Sequence, residues 1–94
     1  MNFYACLYEY GPAEEQAKFR PDHRSYLGTL LEEGKLAASG PFTTGGIPGA
    51  LLIFKAESIA EIEEIIAHDP MNIGGAVLSF EIRQWNPVLG SVGQ

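Results

Sequence analysis

Two short segments do most to limit what this chain can become. Residues 2–9, NFYACLYE, and 50–55, ALLIFK, are apolar at odd and even positions alike. Strand side chains alternate between the two faces of a sheet, so such segments belong in the middle of a sheet that is covered on both sides. In the first, Phe3, Ala5 and Leu7 point one way and Tyr4, Cys6 and Tyr8 the other. Two further strands are weaker. Residues 36–39 are short, and residues 76–84 alternate Leu78, Phe80 and Ile82 against Ser79, Glu81 and Arg83.

Two helices separate these strands. Pro21 suits a first helical position, where its missing N–H costs nothing, and Asp22 complements the dipole there. His23, Leu27, Leu30 and Leu31 follow at helical spacing with Tyr26 beside them, and Gly34 fits the position just past the end. Residues 10–20 then read as a polar connection. Ser58-Ile59-Ala60-Glu61 is a capping box opening a second helix, with Ile59, Ile62, Ile65 and Ile66 on one stripe. Asp69-Pro70 closes it, because the residue before proline avoids helical angles. The glycine- and proline-rich residues 40–49 and the shorter 71–75 read as loops, and residues from Asn86 onward as a tail.

The order β-α-β-β-α-β predicts an α+β fold of the ferredoxin-like, split βαβ type. The expected sheet is antiparallel, in the order 4-1-3-2, with both helices on one face. That order puts the two doubly apolar strands in the centre. The other face would expose Tyr4, Cys6 and Tyr8, one set from the third strand, and Trp85. Such a patch marks an interaction surface, and a second copy of the chain, sheet against sheet, is the expected cover.

Composition narrows the roles. With 94 residues the chain is expected to form one domain. Twelve acidic against six basic residues give a net charge of -6, which repels phosphate backbones and anionic lipid. No nucleic-acid or membrane partner is expected. Cys6 is the one cysteine, so no internal disulfide can form, and mid-strand it reads as packing. No apolar run approaches the ~18 residues of a membrane span. The first residues lack the positive region of a signal peptide, so a cytoplasmic protein is the simplest reading.

The expected topology gathers several chemical groups at one rim: Tyr8 and Glu9, His23, Ser39-Gly40-Pro41, Gly49, and His68-Asp69. A histidine and an aspartate far apart in sequence are thereby brought together. A carboxylate fixes the tautomer of an imidazole, which can then act as acid or base near neutral pH. A rim placement implies partly solvated charges, and the dipole at a helix start opposes a cation on His23. The bland alternatives are a histidine bonded to a backbone carbonyl and an aspartate that merely ends a helix. His68 suits a helix C-terminus. A metal site from His23, His68 and Asp69 lacks any recognised ligand spacing, so none is expected. Gly45-Gly46 is not a phosphate cradle, since no P-loop lysine follows.

Arg20, His23, Leu27, Gly34, Leu36 and Gly40-Pro41, with Asp69-Pro70 after the second helix, resemble in order and spacing the YciI-like (YCII) family of the dimeric α/β-barrel group. The resemblance implies an active site using His23 and Asp69, with Ser39, Gly40 and Pro41 lining the pocket. Arg20 is placed to anchor an anionic group or to sit as a solvated charge. Tyr8 and Tyr26 read as core whose hydroxyls can reach the pocket. Dehydrochlorination of a chlorinated, hydroxylated aromatic is assigned within the family. The wider group also holds isomerases, monooxygenases and ligand-sensing modules. The expectation is a homodimeric enzyme without cofactor, doing proton-transfer chemistry on a small, partly apolar molecule: elimination, isomerisation or hydrolysis. The rival is a non-catalytic ligand-binding or regulatory dimer. A cofactor-free oxygenase is a third reading.

Overall fold

The structure, a computed structural model, describes residues 1–92, so the last two positions of the expected tail lie outside the described residues. The chain runs β1 (Asn2–Tyr10), α1 (Ala13–Glu32), β2 (Leu36–Pro41), β3 (Gly49–Ala56), α2 (Ile59–Ala67), α3 (Pro70–Ile73) and β4 (Val77–Trp85). The four strands form one antiparallel sheet in the order β2-β3-β1-β4. The two doubly apolar strands are its centre. Among the described residues no helix is long and apolar enough to cross a membrane.

The face that the helices cover differs from expectation. Tyr4, Cys6, Tyr8 and Tyr10 are buried on the helix side, with Leu52, Phe54 and Ala56 of β3 beside them. Leu27 and Leu30 of α1, Ile62, Ile65 and Ile66 of α2, and Met71 of α3 pack onto them from the helices. The open face instead carries Phe3, Ala5 and Leu7 of β1. In register with them stand Leu51, Ile53 and Lys55 of β3 and Glu81, Arg83 and Trp85 of β4. Both faces of β1 are apolar, so alternation alone had no means of choosing between them.

The first helix is eight residues longer at its start than expected, since it begins at Ala13 rather than Pro21. The supposed polar connection, AEEQAKFR, consists mostly of strong helix formers. It lacks an apolar stripe, which hides it from a reading based on periodicity. Pro21 lies inside the helix on its exposed side. It removes the N–H that would have met the Ala17 carbonyl, a cost met by packing on both sides of it. His23 is therefore mid-helix, and the opposing dipole of a helix start does not act on it.

Residues 71–75 are not a plain loop either. Asp69 adopts φ -69° and ψ 124°, the extended conformation that a following proline favours, and Pro70 begins the single turn of α3. Glycines fix what packs around this turn. A Cβ on Gly74 would lie 2.4 Å from the Phe19 ring, so α1 and α3 meet through a ring laid on bare backbone. The β2–β3 hairpin extends further than expected, with Gly40 opposite Leu51 and Pro41 opposite Ala50, leaving residues 42–48 as the loop. At its base a Cβ on Gly49 would stand 2.2 Å from the Tyr8 carbonyl oxygen.

These two glycines make a graded prediction. Gly49→Ala meets the backbone of the neighbouring central strand, which cannot turn aside as a side chain can. It should cost about 3 kcal/mol, the upper part of the overpacking range. Gly74→Ala meets a half-buried ring that can turn, and should cost about 1 kcal/mol. Urea denaturation of the two variants gives both values, and the reverse order would contradict this packing.

Candidate active site

Asp69 is the residue around which the site is built. It is 1% exposed, and three segments aim donors at it. The Tyr8 hydroxyl of β1 donates to Oδ2 at 2.8 Å. Nδ1 of His23, from α1, lies 2.7 Å from Oδ1. The Met71 N–H donates to the same Oδ1 at 3.0 Å, so Asp69 caps the N-terminus of α3. A carboxylate accepts only, so this set places the shared imidazole proton on Nδ1. At the start of α3 this carboxylate is also well placed for the helix dipole, which the end of α2 would have opposed. Its charge is fully buried rather than partly solvated.

His23 is itself 8% exposed. Its other nitrogen, Nε2, is left to a cleft of about 530 Å³. Arg20, Arg24 and Gln16 of α1 and Tyr10 of β1 line that cleft alongside it. The opposite wall is formed by Ser39, Gly40 and Pro41 at the end of β2, with Phe42 beyond. The structure thus brings together His23, Asp69, Arg20, Ser39, Gly40 and Pro41 from the sequence-derived set. Tyr8 stands behind the histidine rather than in the cleft, and its hydroxyl is committed to Asp69. Tyr26 is also committed elsewhere, donating to the Ile65 carbonyl at 2.7 Å and tying α1 to α2. His68 is exposed, with Nδ1 2.9 Å from the Glu64 carbonyl. Among the described residues no three His, Cys, Asp or Glu side chains are grouped closely enough to hold a metal ion.

Several cleft residues were not foreseen, Arg24 and Phe42 among them, and two more bear directly on the site. Gln16 is buried, donates to the Gly11 carbonyl at 2.9 Å, and accepts from Arg20 Nη2 at 2.7 Å. Its position was invisible while residues 10–20 read as a connection. Placed on a helix, it stands four residues before Arg20 and seven before His23, on one face. Tyr10 continues the buried series of Tyr4, Cys6 and Tyr8 past the expected end of β1. Its ring meets Tyr8 edge-on, centroids 5.9 Å apart.

Electrostatics follow from burial around one carboxylate. Desolvation first, then the Asp69 charge and its hydrogen bond, raise the Tyr8 hydroxyl far above an ordinary phenol, so it remains a donor. Burial, then Asp69, push the Cys6 thiol up to about 12, which argues against a reactive thiolate. Tyr10 is pushed up to about 12, burial leading and Asp69 adding, while Arg20 opposes the shift.

The model of the YCII-related domain matches residues 2–86, and the chain belongs to that family. No curated protein matches the sequence. Among solved structures it is similar to 5-chloro-2-hydroxyhydroquinone dehydrochlorinase (TftG) from Burkholderia phenoliruptrix AC1100, solved with 2,5-dihydroxybenzoquinone. The TM-score is 0.77 at 22% identity, covering 89% of this chain and 93% of that one. A NIPSNAP domain protein from Burkholderia xenovorans gives a TM-score of 0.61 at 12% identity, with 94% and 95% covered. The C-terminal domain of MgtC from Mycobacterium tuberculosis gives 0.59 at 10%, with 97% and 95% covered. At these identities the likeness is one of fold.

The raised thiol and phenols make stability depend on pH in the alkaline range. Cys6, Tyr10 and Tyr8 ionise later in the native state than in the unfolded chain. Above their ordinary values of 9.0 and 10.0 the unfolded state therefore holds fewer protons. The stabilisation is complete below about pH 9 and is lost as pH rises towards about 12. Each withheld proton contributes a slope of about 1.4 kcal/mol per pH unit. Urea midpoints measured from pH 8 to 11 should fall progressively, and a flat profile would contradict the burial of these groups.

Proposed function

We propose that this YCII-related protein is a cofactor-independent acid–base enzyme acting on a small molecule held in the cleft. The observation that carries the reading is the His23–Asp69 hydrogen bond of 2.7 Å, made through Nδ1 and buried, which leaves Nε2 facing the cleft. In this reading neutral His23 removes a proton from the substrate with Nε2. The imidazolium so formed is stabilised by Asp69, which Tyr8 and the Met71 N–H hold in place. In an elimination the electron pair of the broken C–H bond becomes a double bond and expels a leaving group with its own pair. In an isomerisation the proton returns to another atom of the same substrate. In a hydrolysis the proton comes from an attacking water. The fold likeness to a dehydrochlorinase with a bound dihydroxybenzoquinone makes elimination from a hydroxylated ring the first reaction to assay.

His23→Asn keeps a donor for Asp69 and removes the base. It should lower kcat by about 10²–10⁴-fold, the usual worth of a positioned general base, with little change in ligand Kd. Isothermal titration beside turnover measurements separates the two effects. A ligand that binds wild type and is never converted, across ring elimination, isomerisation and hydrolysis assays, supports the binding-module reading instead.

The proposed assembly is a cytoplasmic homodimer joined through the open sheet face. Phe3, Ala5 and Leu7 are half-buried there, while Leu51 and Trp85 are exposed. Lys55 lies over the Phe3 ring, 5.7 Å from its centroid. Tyr4, Cys6 and Tyr8 cannot serve, since they are core. Leu51→Glu should leave the monomer folded and abolish the dimer, because burying an unpaired charge at such a face is costly. Analytical ultracentrifugation at micromolar concentration decides this, and a monomeric wild type would falsify the assembly.

A further inference from the structure

The cleft beside His23 carries a charge that the rest of the molecule does not explain. The chain has a net charge of -6 and only three arginines, yet Arg20 and Arg24 both line this one cavity. They stand four residues apart on one helix, where like charges repel. Among the described residues neither has a carboxylate within ion-pair distance. Arg20 is held in place by a neutral partner, since Gln16 accepts from it while anchored on the Gly11 carbonyl. Such an arrangement orients a guanidinium without neutralising it.

Tyr10 adds a second donor. Tyr10 is 5% exposed and lines the same cleft, and among the described residues no protein group bonds its hydroxyl. Among the described residues no fully buried side-chain oxygen lacks a partner, so this hydroxyl keeps some accessible surface, and the cleft is the cavity that Tyr10 lines. A phenol is protonated at neutral pH, and burial raises this one further, so it is available as a donor. Leu27, Leu52, Ala50 and Phe42 give the cleft an apolar side, and Ser39 adds a small polar group on the β2 wall.

We infer that Arg20 and Tyr10, with Arg24 at longer range, form an oxyanion-binding subsite, and that the cleft takes small organic anions with an apolar body, such as carboxylates, phenolates or enolates. Gln16 is the positioning residue that aims Arg20. The inference builds on the acid–base reading of His23, whose proton abstraction would create or shift negative charge beside these donors. Anion recognition itself does not require that the histidine be catalytic.

The test compares benzoate with benzamide, which share shape and differ in charge, by isothermal titration at pH 8 and low ionic strength. Wild type should bind benzoate at least about ten-fold more tightly, with the preference shrinking as salt screens it. Arg20→Gln should abolish the preference, Gln16→Leu should weaken it, and Tyr10→Phe should weaken benzoate binding several-fold. His23→Asn should retain the preference, so loss of turnover and loss of anion recognition fail separately. Circular dichroism checks each fold. If Arg20→Gln does not fold, Arg24→Gln and the wild-type comparison still decide the matter. Equal binding of the two probes by wild type, no benzoate binding at about 10 mM, or an undiminished preference in a folded Arg20→Gln would overturn the inference.

Discussion

A buried carboxylate is costly unless donors surround it, and Asp69 organises this molecule by needing three. Its partners come from β1, α1 and the first turn of α3, segments with no local reason to meet. Removing one of them leaves a charge or a polar atom without compensation in a region of low dielectric. The network therefore acts as a constraint on placement more than as a source of net stability. It sets the depth of His23, the direction of its ring, and the point at which α2 gives way to α3.

The same carboxylate couples core to cleft. Tyr8 packs among the central residues of the sheet while its hydroxyl supports Asp69 from behind. Tyr10, two residues on, turns its ring against Tyr8 and lines the cleft. One strand thus supplies the support and part of the wall. On α1, Gln16, Arg20 and His23 recur at helical spacing, so a single helix face carries an anchor, a cation and an imidazole. Such a site keeps its geometry because its side chains stand on regular elements and not on loops.

Much of the fold was legible because burial on two sides leaves a mark on composition. NFYACLYE and ALLIFK could only be central, and the helix that follows each of them left few topologies. The same property hid the choice of face: Phe3, Ala5 and Leu7 are as apolar as Tyr4, Cys6 and Tyr8. The first half of α1 was missed for the opposite reason. Its residues favour helix by propensity but carry no continuous apolar stripe, and Pro21 looked like a beginning. Gln16 and Tyr10 were lost with those boundaries.

What the sequence determined by itself is the order of elements, the strands that must be central, and the family to which residues 2–86 belong. Those follow from local propensity and from hydrophobic patterning, which are written along the chain. It also held His23 and Asp69 in view, since the element order sends both towards one end of the sheet. Tertiary structure alone decided how they meet. Asp69 in sequence is only the residue before a proline. Whether its carboxylate ends α2 or caps α3, faces water or accepts from Tyr8, depends on which face of β1 turns towards the helices. That choice is settled by packing the whole core at once, since the two faces of β1 are equally apolar and no local rule separates them.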